Sequence, residues 1–230
     1  MNPADSTAVS ARERRARSVS GLYALTPEMP DTERLLALAA QAIAGGIDVL
    51  QYRAKFAAPA LRAHQARALK QLTDAAGIPL IVNDDVALAV AIDADGVHVG
   101  VDDGDPAAAR AAIGADRLLG VSCYDDLQRA LALRGLADYV AFGSVFASAT
   151  KPAAVRAPLA LFGEARRHGL VSVAIGGIGA DNAAQVFAAG ADAIAVITDL
   201  FGAPDVRAAA QRLASIAAAF RGAGPRPSRD

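Results

Sequence analysis

Eight short apolar runs recur along the chain: Leu22–Leu25, Val49–Tyr52, Leu80–Val82, Gly96–Val99, Leu118–Val121, Tyr139–Phe142, Val171–Ile175 and Ala193–Ile197. They are largely continuous apolar segments rather than alternating ones, the pattern of strands covered on both faces in a parallel sheet. Longer stretches at helical period separate them. Leu61, Gln65, Ala68, Leu69 and Leu72 fall at i, i+4, i+7, i+8 and i+11, which predicts a helix with one mostly apolar face. Asp31-Thr32 supplies caps before Leu35, and Gly77-Ile78-Pro79 stops the second helix. Asp181 and Gly190 frame another helix over Ala183–Ala189. Eight such units predict an α/β fold, a compact (β/α)8 (TIM) barrel, with a doubly wound open sheet as the competitor. No composition shift marks an internal boundary, and no sequence repeat beyond the alternation is evident. The expected organisation is a disordered tail over 1–20, a barrel domain over 21–221 and a second tail over 222–230.

Composition narrows the function classes. The 230 residues are 53% hydrophobic, enough for a sizeable core. Lys+Arg 23 against Asp+Glu 24 leaves a formal net charge of -1, which gives no reason to expect binding to nucleic acid or to an acidic membrane surface. No apolar run reaches the roughly 20 residues of a membrane helix, and the Arg-rich start lacks the apolar stretch of a secretory signal. One cysteine, Cys123, forms no intrachain disulfide and fits a reducing cytoplasm. That single cysteine and three scattered histidines, His64, His98 and His168, argue against a zinc site. Lys55, Lys70 and Lys151 are the only lysines. The oligomeric state is not set by any of this, and a homo-oligomer is left open.

In a barrel, polar residues at strand C-terminal ends share one mouth. Gln51-Tyr52-Arg53-Ala54-Lys55 follows the second strand, and Asn83-Asp84-Asp85 ends the third. Gly100-Val101-Asp102-Asp103 follows the fourth, and Ser122 ends the fifth. The sixth leads into a loop containing Ser148-Ala149-Thr150-Lys151, the seventh into Gly176-Gly177, and the eighth into Ile197-Thr198. Adjacent strands lie about 4.8 Å apart, so Asp84 and Asp103 could share one hard cation such as Mg²⁺, leaving positions for water and phosphate oxygens. Read separately, Asp85, Asp102 and Asp103 are helix caps or Asx turns. Arg53, Lys55 and Lys151 are cations on loops at that mouth, each with an ordinary reading as a surface ion pair. Gly176-Gly177 and Ile197-Thr198 sit where barrels bind phosphate through backbone N–H groups; a tight turn is the plainer account of the glycines. His98 reads as a core or supporting histidine, and Cys123 as inert. No nucleophile–His–acid triad is present. Together these residues suit a Mg²⁺-bound diphosphate, a second phosphorylated compound, and loss of a diphosphate leaving group.

In this order, the residues resemble the thiamine-phosphate synthase family from about Leu22 to Thr198. The resemblance implies a Mg²⁺-dependent transferase of thiamine biosynthesis on a (β/α)8 barrel. It would join hydroxymethylpyrimidine diphosphate to hydroxyethylthiazole phosphate, with release of pyrophosphate. It implies that Gln51, Tyr52, Arg53, Ala54, Lys55 and Asn83 hold the pyrimidine diphosphate and that Asp84 and Asp103 ligate Mg²⁺. It further implies diphosphate contacts from Ser122 and Lys151, with Arg53, Lys151 and Ser122 as the catalytic set. Ser148, Ala149, Thr150, Gly177, Ile197 and Thr198 would hold the thiazole phosphate. Three segments depart from the family pattern. The usual Gly-Gln-Glu-Asp is Gly100-Val101-Asp102-Asp103, the usual Gly-Pro is Gly143-Ser144, and the usual Thr-x-Thr-Lys is Ser148-Ala149-Thr150-Lys151. Two other readings share the barrel. A thiazole tautomerase-like isomerase would carry a histidine shortly after Ser122, where this chain has Cys123-Tyr124-Asp125. A non-catalytic thiamine-phosphate-binding barrel would bind without turnover.

Overall fold

The computed structural model describes residues 16, 18–147 and 156–221. Eight parallel strands close into a barrel in sequence order: β1 (Gly21–Leu25), β2 (Val49–Tyr52), β3 (Leu80–Asn83), β4 (Gly96–Val99), β5 (Leu118–Tyr124), β6 (Tyr139–Phe142), β7 (Ser172–Ile175) and β8 (Ala193–Val196). Pairing of β1 with β8 completes the ring, which rules out the open sheet. Helices α1 (Thr32–Ala44), α2 (Pro59–Ala76), α3 (Val86–Ala91), α4 (Pro106–Ile113), α5 (Leu127–Ala132), α6 (Ala160–Arg167) and α7 (Ala183–Ala188) follow successive strands. A one-turn helix α8 (Thr198–Phe201) and the long α9 (Val206–Phe220) follow β8.

Alternation along each strand divides the core in two. One set of side chains, including Leu22, Leu50, Val97 and Cys123, packs between the strands and the helices. The other, including Tyr23, Leu25, Val49, Ile81, Tyr139, Val173 and Ala195, fills the lumen. Both faces of the sheet are therefore covered and mostly apolar, with Gln51, His98 and Ser122 as polar exceptions on the lumen side, which is why the runs read as nearly continuous. Ala16 and Val19, placed by sequence in the first tail, belong to the lumen cluster and are buried.

Several local expectations shift. The buried face of α2 carries Gln65, Ala66, Leu69 and Thr73, whereas Leu61, Ala68 and Leu72 lie at its margins. Thr73 tolerates burial because its hydroxyl donates to the Lys70 carbonyl one turn earlier. Asp31 caps α1 as expected, accepting from Arg34 N at 3.0 Å, and Gly77 ends α2 in the left-handed region at φ 69°. At α7 the cap position belongs to Asn182, not Asp181. The Asn182 side chain turns back, accepting from Gly179 N at 2.9 Å and donating to Gly177 O at 2.9 Å. β5 runs past Ser122 to Tyr124, with its register against β6 broken between those two residues.

A fourfold device at the N-terminal end of the barrel escaped the sequence reading. An aspartate immediately precedes each even strand: Asp48, Asp95, Asp138 and Asp192. Each donates its backbone N–H to a carbonyl of the preceding odd strand and accepts that same residue's N–H on its carboxylate. The partners are Leu22, Leu80, Leu119 and Ser172, at 2.8–3.1 Å through the backbone and 2.8–2.9 Å through the carboxylate. The amide at the start of each odd strand is thereby satisfied. Arg221 pairs with Asp48, Lys70 with Asp95 at 3.5 Å, and Arg110 with Asp138. The chain is built from four strand–helix–strand–helix units, each closed by one carboxylate.

Two outcomes are expected. Asp138 is the most buried of these carboxylates among the three whose ion pairs are described, so Asp138→Ala strands the Leu119 N–H and uncouples Arg110. Urea unfolding should show a loss of about 3 kcal/mol, and Asp138→Asn, which keeps an acceptor, should lose less. Cys123 faces the helices, fully buried; burial pushes its thiol up to about 12 although Arg129 nearby pulls the other way. The thiol therefore stays protonated near pH 8, and a thiol reagent should label the folded protein far more slowly than the urea-unfolded chain. Labelling of the native protein at the unfolded rate would refute this burial.

Candidate active site

The C-terminal ends of β2, β3 and β4 bring three charged groups into one corner. Lys55 Nζ lies 3.1 Å from Asp84 Oδ2. Asp103 reaches the same place from the loop after β4, its carboxylate within hydrogen-bonding range of Asp84. Asp84 adopts φ 64°, unusual for a residue with a side chain, and its N–H is fixed by the His98 carbonyl at 2.8 Å. Asp103 is held by Gly100 N at 2.9 Å, and a Cβ on Gly100 would stand only 2.4 Å from the Asp103 carboxylate. The bare glycine thus leaves room for the acid in this position. Partial burial raises the Asp84 carboxyl above the ordinary range, Asp103 adds to the rise, and Lys55 opposes both. Asp85, by contrast, caps α3 by accepting from Leu88 N at 2.9 Å, as its plain reading required.

Two carboxylates crowded together, half-neutralised by one ammonium, form an oxygen donor set that suits a small hard dication. Among the described residues no group of three or more His, Cys, Asp or Glu could hold a metal. A cation shared by Asp84 and Asp103 would therefore take its other ligands from water and substrate, as Mg²⁺ usually does in phosphate sites.

The β2 loop is shaped by residues the sequence reading passed over. Glu28 accepts the N–H groups of Lys55 and Phe56, both at 2.9 Å, and Thr26 Oγ1 accepts from Arg53 N at 2.9 Å. Thr26-Pro27-Glu28 directly follows β1, the one strand end from which no candidate was drawn. Arg53 and Ala54 lie half-buried between these anchors, while Phe56 is 88% exposed at the loop tip. The Tyr52 side chain turns outward, donating to Gln65 Oε1 of α2 at 2.8 Å, so only its backbone is available to the mouth. Asn83 sits half-buried at the end of β3, beside the Lys55–Asp84 pair in sequence.

Below the corner, a hydrogen-bonded string crosses the lumen. Gln51 Nε2 donates to Tyr23 OH at 2.8 Å, and the Tyr23 and Tyr139 hydroxyls lie 2.8 Å apart. Tyr139 OH is 3.2 Å from His98 Nδ1, and His98 Nε2 is 2.9 Å from Ser122 Oγ. Burial holds His98 well below its usual range, at about 4, so the imidazole is neutral. His98 therefore supports Ser122 from a neighbouring strand. Spacing along the chain carried no trace of this contact.

On the opposite side, the loop after β6 lies along β7. Val145 N donates to Ile175 O and Phe146 N to Gly176 O, both at 3.0 Å. Gly177 has φ 63°, and a Cβ there would meet the Ala147 carbonyl at 2.3 Å. Close backbone approach thus accounts for the glycine pair, and Gly177 remains exposed at the mouth. Ile197 is half-buried and Thr198, the first residue of α8, is exposed. Ser148, Ala149, Thr150 and Lys151 lie outside the described residues.

The chain resembles known proteins over most of its length. A family model for thiamine monophosphate synthase matches residues 22–200. Thiamine-phosphate synthase of Aromatoleum aromaticum is 57% identical over 196 residues, covering 84% of this chain and 94% of its own. That of Methylobacillus flagellatus is 53% identical over 195 residues, covering 84% and 93%. Among solved structures, thiamine phosphate pyrophosphorylase from Pyrococcus furiosus superposes with TM-score 0.76 at 34% identity, covering 90% of this chain and 99% of that one. A 3-hexulose-6-phosphate synthase, at 20% identity and TM-score 0.63, shares the barrel fold. With its acidic corner after β3 and β4 inside the matched span, and with relatives matched over nearly their whole length, the chain belongs to the thiamine monophosphate synthase family.

Proposed function

We propose that the protein is a thiamine-phosphate synthase, joining hydroxymethylpyrimidine diphosphate to hydroxyethylthiazole phosphate with release of pyrophosphate. The observation that carries this reading is the Lys55–Asp84–Asp103 corner, where a cationic loop and a carboxylate pair converge on the strand ends. A bound Mg²⁺ would supply charge neutralisation to a diphosphate leaving group. The remaining chemistry falls to the chain. Asp84 and Asp103 would hold the metal, and Arg53, Lys55, Ser122 and Lys151 would contact diphosphate oxygens. Gln51, Tyr52 through its backbone, Ala54 and Asn83 would shape the pyrimidine side. Ser148, Ala149, Thr150, Gly177, Ile197 and Thr198 would hold the thiazole phosphate.

In this proposal the C–O bond to the diphosphate breaks first, leaving a pyrimidine methyl cation, and the thiazole nitrogen then attacks that carbon. Cations aimed at the departing oxygens lower the barrier because they meet charge that grows in the transition state. The step needs no protein nucleophile. That fits a mouth in which the one cysteine points away and the nearest histidine is neutral and bonded through both ring nitrogens. The same two bonds argue against His98 as the base of an isomerase.

The decisive experiment incubates the protein with Mg²⁺ and both substrates and measures thiamine phosphate. Product is expected. A folded protein that binds thiamine phosphate yet forms none at high concentration would instead be a binding barrel. Asp84→Ala should lower metal-dependent turnover on the order of 100-fold or more while leaving the circular dichroism spectrum intact. Undiminished activity would remove Asp84 from the metal site.

A further inference from the structure

The lumen string joins five strands through four hydrogen bonds: Gln51 on β2, Tyr23 on β1, Tyr139 on β6, His98 on β4 and Ser122 on β5. It exists because Gly120 has no side chain. A Cβ there would lie 2.1 Å from Tyr139 Cζ and 2.5 Å from His98 Nδ1, so any other residue would drive the tyrosine and the imidazole apart. Tyr23, Gln51, Tyr139 and His98 are all buried, so water is not at hand to substitute for a missing partner.

Such a string has a direction. An amide nitrogen only donates, a hydroxyl has one proton to give, and a neutral imidazole donates from one nitrogen and accepts at the other. With Gln51 Nε2 donating to Tyr23, the Tyr23 proton goes to Tyr139, and the Tyr139 proton goes to His98 Nδ1. The imidazole is left with its proton on Nε2, which it donates to Ser122 Oγ. Ser122 then has its own proton free to give elsewhere. We propose that the Gln51 amide sets the proton polarity of the site, fixing His98 as the Nε2–H tautomer so that Ser122 presents an O–H donor to an anionic substrate oxygen. His98, Tyr139 and Tyr23 are positioning residues in this arrangement.

The opposite polarity is chemically poorer at this mouth. With the amide turned over, Tyr23 would donate to Gln51, His98 would carry its proton on Nδ1, and Ser122 would spend its proton on His98 Nε2. Lone pairs alone would then face a phosphate oxygen, which repels them. The proposal rests on the reading of Ser122 as a diphosphate contact, but its central claim concerns the free protein and is measured there.

The test uses the full chain labelled with ¹⁵N-histidine. Long-range ¹H–¹⁵N correlation separates Nε2–H from Nδ1–H tautomers, and His98→Gln assigns the His98 signals against those of His64 and His168. Wild-type protein should show His98 as Nε2–H. Gln51→Glu replaces the donor with an acceptor and should shift His98 to Nδ1–H. Tyr139→Phe removes the middle link and should leave His98 exchanging between the two forms. If Gln51→Glu does not fold, Tyr139→Phe serves alone. Turnover should respond in parallel: Tyr139→Phe should lower kcat about tenfold, roughly one hydrogen bond in the transition state, with little change in KM. An Nδ1–H tautomer in the wild-type protein, or a tautomer unmoved by both variants, overturns the proposal. So does a kcat unmoved by Tyr139→Phe in an active enzyme. Absence of synthase turnover alongside the expected tautomer shift would count against the functional reading and leave the string's polarity standing.

Discussion

Two tyrosine hydroxyls buried inside a barrel lumen must find hydrogen bonds there, and much of the site follows from how they do. Tyr139 occupies space that Gly120 leaves open on the neighbouring strand, and Tyr23 lies buried beside it in the lumen. Their hydroxyls bond to each other, and the ends of that pair reach Gln51 on one side and His98 on the other. An apolar lumen would be easier to pack, because a buried polar group left unpaired costs about 1–3 kcal/mol. A fully connected string avoids that cost and holds Ser122 at 2.9 Å from a rigid imidazole. Packing in the barrel interior and the geometry of the mouth are thus one problem.

The two ends of the barrel use aspartate in opposite ways. At the N-terminal end, Asp48, Asp95, Asp138 and Asp192 each receive a backbone N–H at a strand start, and the first three face cations. These carboxylates are consumed by structure. At the C-terminal end, Asp84 is held in a left-handed backbone conformation beside Asp103, with partial burial and like charge both raising its pKa. Crowding of that kind weakens a fold unless something binds there, which is the usual mark of a functional site. Burial alone would not have separated the two sets; their hydrogen-bond partners do.

The fold was legible because a closed parallel barrel covers both faces of every strand, and all eight apolar runs became strands with ends shifted by at most three residues. Asp84 and Asp103 were legible as a pair because they follow adjacent strands, and adjacency along a barrel is adjacency in space. What escaped depends on contacts that spacing does not encode. His98 meets Ser122 through side chains that lean from one strand to the next inside the lumen, and Glu28 reaches the β2 loop from the end of β1. The Asp repeat before even strands was present in the letters, at Ile47-Asp48, Ala94-Asp95, Ala137-Asp138 and Ala191-Asp192. It passed unnoticed because four two-residue signals at uneven spacing carry little weight until the strands they precede are seen to pair. Tyr52 shows the converse limit: its place in a motif says nothing of which face its side chain takes, and that side chain faces α2.

The whole-chain charge of -1 gave no cause to expect an anion site, and the acidic corner explains why that average misleads. Two carboxylates and one ammonium leave Asp84, Asp103 and Lys55 with a local excess of negative charge when all are ionised. By itself the corner repels a diphosphate, so Lys55 and Arg53 alone are a poor account of how one would be held. On the proposed reading, Asp84 and Asp103 would hold a dication that would reverse the local sign, and the Lys55 ammonium beside Asp84 would contact the same anion. Carboxylates at an anion-binding mouth are then part of the attraction rather than an obstacle to it. Burial first, and the like charge of Asp103 second, raise the Asp84 carboxyl against the pull of Lys55, so the corner is one in which a further positive charge is welcome.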